Sequence, residues 1–72
     1  MDNPHDTMQQ QAIAHCKAGR YQEAQAILTQ LLDVLRSHGA PVNSTPTMYW
    51  YLRAKHQGNE DAATREFVML DD

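Results

Sequence analysis

One cysteine, one tryptophan, one phenylalanine, three glycines and six lysines and arginines are the scarce residues of this 72-residue chain. A lone cysteine cannot close an intramolecular disulfide, so no framework of bridges holds the fold. The six cations are scattered singly against nine acids, for a formal net charge of −3. No basic stripe is left to neutralise a phosphate backbone, and nucleic acid is not an expected partner. No apolar run approaches the ~20 residues of a membrane-spanning helix, and no charged-then-apolar segment opens the chain. The expectation is a soluble, cytoplasmic protein with no membrane span.

Chemistry is equally thin. The glycines are too far apart to form a phosphate-cradling loop. No two of His5, His15, His38 and His56 stand three or four residues apart, and Cys16, next to His15, points about 100° away from it on a helix. No metal or other cofactor is expected. Cys16 lies mid-helix, away from the helix N-terminus that would acidify its thiol, and reads as a small hydrophobe rather than a nucleophile. Glu23, Asp33, Glu60, Asp61 and Glu66 read as solvated carboxylates, and the chain as no enzyme.

What is present is helical pattern. At 42% hydrophobic and 21% charged residues the composition is that of an ordinary globular chain. A chain this short buries only ~60% of its unfolded surface, so a single domain over 1–72 has a thin core. Residues 1–5 read as a flexible tail or, since Pro4 has no amide donor, the first turn of a helix. Asp6 or Thr7 can cap a first helix to Ala18; with Asp6 as the cap, Gln9 is placed to return the capping-box bond. Gly19 breaks the pattern, and the short connection makes the next helix, Tyr21 to Ser37, an antiparallel neighbour and the most apolar element. Hairpin one therefore covers 6–37 and a loop covers 38–45. Thr45 and Pro46 then cap and start a third helix to about Gln57, whose run Met48-Tyr49-Trp50-Tyr51-Leu52 is apolar all round. A helix of that kind is sandwiched or awaits a partner. Gly58 closes it, Asn59 caps a fourth helix with Ala63, Phe67 and Leu70 on one face, and hairpin two covers 46–70. Asp71 and Asp72 are expected to fray, being acidic at a helix C-terminus. The fold class is all-α, four short helices as two antiparallel hairpins.

The two hairpins repeat. Gly19 and Gly58 are 39 residues apart, and superposing them places Ala24 on Ala63, Leu28 on Phe67 and Leu31 on Leu70. This Gly, Tyr21, Ala, large-apolar spacing resembles the tetratricopeptide (TPR) family, whose helix-turn-helix repeat runs about 34 residues. The resemblance covers nearly the whole chain. The longer spacing, Gln11 at a usually apolar position and His15 at an often aromatic one mark the repeat as degenerate.

The resemblance implies site residues. Met8, Gln11, Ala12 and His15, then Thr47, Trp50, Tyr51 and Ala54, would pack inward, with Trp50 turned toward the fourth helix. The opposite edges would line a concave groove through Gln9, Ile13, Cys16 and Lys17, then Met48, Leu52, Lys55 and His56, with Tyr49 as a further surface contact. The partner-binding set is thus Ile13, Cys16, Lys17, Met48, Tyr49, Leu52, Lys55 and His56. Repeat hairpins normally need about three copies to cover their faces. Two copies without a cap imply a protein partner, another small protein in a heterodimer or a second copy in a homodimer. In build, and in the Gly-Arg-Tyr-Gln-Glu-Ala and Tyr-Trp-Tyr-Leu segments, the chain is similar to the small type III secretion chaperones that hold needle subunits. The function implied is a non-enzymatic chaperone or adaptor holding an amphipathic, helical client. The alternatives are an anti-activator that sequesters a transcription factor and a self-associating helical subunit.

Overall fold

The computed structural model describes residues 4–43 and 45–70. Four helices follow one another: α1 Pro4–Lys17, α2 Tyr21–Ser37, α3 Pro46–Lys55 and α4 Glu60–Met69. Among the described residues there is no strand, and the all-α expectation holds. The helix begins earlier than Asp6 because Pro4, with its fixed φ, takes the first helical position. Asp6 therefore sits inside the first turn, where its charge faces the positive end of the helix dipole. Of the two readings of 1–5, the first helical turn holds at 4 and 5 and the tail does not; residues 1–3, and the fraying expected at 71–72, lie outside the described residues.

Caps form where the hydroxyl and amide side chains put them. Thr45 Oγ1 accepts from the Met48 amide at 3.2 Å and donates to the Val42 carbonyl at 2.7 Å, with Pro46 following. Asn59 Oδ1 accepts from the Ala62 amide at 3.1 Å. The helix ends hold a less expected difference. Gly19, at φ +81°, closes α1 in a Schellman arrangement, its amide bonded to the Cys16 carbonyl and the Arg20 amide to that of His15. The same pair of bonds closes α3 one residue before its glycine: the Gln57 amide bonds to Ala54 and the Gly58 amide to Arg53. Gln57 thus takes the left-handed position at φ +55°, and Gly58 follows it at +85°. Gly58 is not the residue that closes α3, and the two turns that align in sequence are offset by one residue in structure.

Side-chain bonds set the directions of the helices. Thr47 Oγ1 donates to Gln9 Oε1 at 2.6 Å, and the Cys16 thiol approaches the Trp50 carbonyl at 3.9 Å, so α1 and α3 run parallel, side by side. Gln25 Nε2 donates to the Ala54 carbonyl at 3.1 Å, capping the end of α3, while Tyr21 lies over Gly58; α2 is antiparallel to both. Short connections pair α1 with α2 and α3 with α4 as hairpins, and α3 touches every other helix. The buried centre of the chain is accordingly α3 as much as α2, with Thr47, Met48, Leu52 and Ala54 buried along only ten residues. One core cluster joins Leu32, Val42, Met48, Leu52 and Ala63; a second joins Cys16, Ala24 and Ala54.

Candidate protein-interaction surface

The eight residues expected to line a groove divide in the structure. Cys16, Met48 and Leu52 are buried, at 7%, 6% and 2% exposure, and of the three Met48 borders the small pocket between α2 and α3. The reason is that α3 is enclosed by α2 on one side and α4 on the other, so the Met48–Leu52 edge meets Leu32 and Ala63 instead of solvent. Ile13 and Tyr49 are half-buried, Lys17 and Lys55 exposed, and His56 half-buried. Of the positions expected to pack inward, Ala12, Thr47 and Ala54 are buried, while Met8, His15, Trp50 and Tyr51 are half-exposed and Gln11 is exposed. Trp50 turns to the Cys16–Ala24–Ala54 cluster, beside α1, and not to α4. Tyr49 makes the α4 contact, edge-on to Phe67 with centroids 5.6 Å apart.

The side of α3 left between α1 and α4 carries Pro46, Tyr49, Trp50 and Arg53, at spacings of three, four and seven residues that form one helical stripe. Pro46 is exposed and the other three are half-buried. Tyr49 meets Trp50 edge-on at 5.8 Å, and the Arg53 guanidinium lies over the Trp50 ring at 5.3 Å from its centroid. Both are geometries in which an aromatic quadrupole attracts its neighbour. With Phe67 the aromatics run from α3 onto α4. Sequence reasoning missed Arg53, although its spacing from Trp50 and Tyr49 was there to be read. It read Trp50 as core because each helix of a repeat was assigned one inward edge.

Lys55 and His56 serve a structural bond. Lys55 Nζ lies 3.0 Å from Glu66 Oε2 and His56 Nε2 lies 2.8 Å from Glu66 Oε1, tying the end of α3 to α4. Glu66 is therefore no freely solvated carboxylate. The hydrogen bond from His56, then that from Lys55, holds its pKa below the ordinary value of 4.5. Burial pushes the Cys16 thiol above its usual range, with Arg53 opposing the shift. A thiol so placed is mostly protonated at neutral pH and a weak nucleophile. Among the described residues, no group of three His, Cys, Asp or Glu side chains is placed to hold a metal ion.

Two other features reach the surface. Val68 and Met69 on α4 are 72% and 79% exposed. An open pocket of about 90 Å³ between α2 and α3 is lined by Thr29, Leu32, Arg36, Met48 and Tyr51. No helix of the described residues is long and apolar enough to cross a membrane. No protein-family model, curated protein or solved structure matches the chain.

Proposed function

We propose that the chain is a non-enzymatic protein-interaction module of TPR-like build, a small cytoplasmic chaperone or adaptor that holds a helical client as a heterodimer. The observation that carries this reading is the outward stripe of α3: Tyr49, Trp50 and Arg53 side by side, half-exposed and continuous with Phe67. Tryptophan, tyrosine and arginine are the side chains that dominate binding energy once a partner excludes water from them. The parallel placement of α1 beside α3 supports a shared binding face, to which the TPR-like reading would add Ile13 and Lys17 from α1. Service to a type III secretion system is the specific form of this proposal that the similarity of build suggests.

The test is to isolate the untagged chain from its own cells with whatever accompanies it and to identify the companion by mass spectrometry. Mixing the two purified proteins should raise the melting temperature, because a ligand that binds only the folded state stabilises it by mass action. A chain that stays a stable monomer, with a melting temperature unmoved by every candidate companion, sinks the reading. A homodimer that resists dilution in sedimentation would transfer it to self-association, a role for which exposed Val68 and Met69 are the available apolar contacts.

A further inference from the structure

Arg53 says what kind of segment that face takes. Among the described residues no carboxylate lies within ion-pair distance of its guanidinium; the ion pairs of this region join Glu66 to Lys55 and to His56. Arg53 Nε is shielded from solvent and has no hydrogen-bond partner, while the guanidinium carbon lies over the Trp50 ring, 5.3 Å from its centroid. An unsatisfied, shielded donor on a cation is unfavourable, and water does not reach it in this position. The outer Nη groups are not shielded in this way and keep the planar fork that fits a carboxylate.

We propose, resting on the interaction-module reading, that the α3 stripe docks a segment of a partner protein carrying an aspartate or glutamate beside an apolar side chain. The apolar residue covers the Tyr49–Trp50 edge. The carboxylate takes the Nη groups of Arg53 and, as the guanidinium lifts from the ring, its Nε. Excluding water over Trp50 strengthens the pair, because the same charges interact more strongly at lower local dielectric. The chain's net charge of −3 bears on this contact only through acids within a screening length of about 8 Å, since charges farther off contribute little at physiological salt. A basic segment would meet Arg53 with like charge, and a wholly apolar one would bury it unpaired.

The test uses random-peptide display on the intact chain, with the Arg53→Met chain as comparison and Trp50, the single tryptophan, as fluorescent reporter. Recovered peptides should carry an acid within one helical turn of a large apolar residue. Synthetic copies should shift Trp50 emission and bind wild type about tenfold more tightly than Arg53→Met, a loss reproduced by Glu→Gln in the peptide. Arg53→Lys should restore part of the binding, and added salt should weaken it. Circular dichroism checks that Arg53→Met is folded; if it is not, the Glu→Gln peptide decides alone. Binding indifferent to Glu→Gln and to Arg53→Met overturns the carboxylate assignment and leaves the interaction module standing. Recovery of no saturable binder, or self-association of the chain that Arg53→Met abolishes, overturns it in favour of another face or of a second copy. Failure of the module itself is seen separately, in the absence of any companion that shifts the melting temperature.

Discussion

At the scale of single residues, the left-handed positions after α1 and α3 respond differently to substitution. A β-carbon at Gly19 meets nothing within 4 Å, so Gly19→Ala carries only the backbone penalty of a positive φ, about 1–2 kcal/mol. At Gly58 the same carbon would run into the Tyr21 ring, whose Cζ would lie 3.0 Å away. Tyr21 can yield because the obstruction is the far end of its side chain. Gly58→Ala is therefore expected to lower stability in urea unfolding by more than Gly19→Ala, and the excess should vanish in a Tyr21→Ala background. Equal effects in both backgrounds would refute the contact. Gln57 offers the opposite change: exposed and at φ +55°, it bears strain that glycine would not. Gln57→Gly should stabilise the fold by up to about 1 kcal/mol, less whatever flexibility it adds to the unfolded chain. Gly19 was legible beforehand as a helix end; Gln57 was not, since glutamine carries no signal for a left-handed backbone and the nearby glycine drew the helix end one residue too far.

At the scale of elements, α3 is where the expectation and the structure part most. The run from Met48 to Leu52 made clear that this helix is apolar in every direction, but not which neighbour each side chain meets. Its enclosure by three helices reverses the expected mutational pattern. Leu52, 2% exposed, belongs to the core, and Leu52→Ala should cost about 2–5 kcal/mol in chemical denaturation. Leu52→Asp, which a groove position would tolerate, should unfold the chain. Trp50→Ala removes a half-exposed side chain and should cost less than Leu52→Ala. Should Trp50→Ala prove the more damaging, the α3 packing described above is wrong. The α3–α4 tie adds a pH dependence of definite sign. The Glu66 pKa is lower folded than unfolded, so its contribution is present above the ordinary glutamate value of 4.5 and is lost as pH falls through the depressed folded value. The group is a third exposed, so the effect is small. Thermal melts of Glu66→Gln should show a shallower fall in stability below pH 4.5 than wild type; parallel curves would show that the tie contributes nothing.

At the scale of the whole molecule, the helices form a slab of 32 × 29 × 17 Å. In so thin a body, stability is set by how many neighbours each helix has. Among the described helices α4 approaches only α3 at backbone distance, whereas α3 touches all the others. Amide exchange should therefore release α4 first and α2 and α3 last, since regions with few buried contacts open at lower free energy. Protection of α4 equal to that of α3 would contradict this order. Docking of an acidic, apolar segment on Tyr49, Trp50 and Arg53 should slow exchange in both α3 and α4, because Phe67 shares that aromatic edge.

The sequence alone determined the helices and their breaks. Caps, prolines and glycines act within one or two turns, so Thr45-Pro46, Asn59 and Gly19 announced their roles, and Ala24 and Ala63, matched by their spacing from the two glycines, are each 0% exposed. Tertiary structure decided which face of each helix is covered. Burial depends on what lies opposite: the Met48–Leu52 edge is enclosed between α2 and α4, and Tyr49, Trp50 and Arg53 are left as the open stripe. A period of 3.6 residues fixes which side chains share a face, and only the packing of three neighbours around α3 fixes which of those faces reaches water.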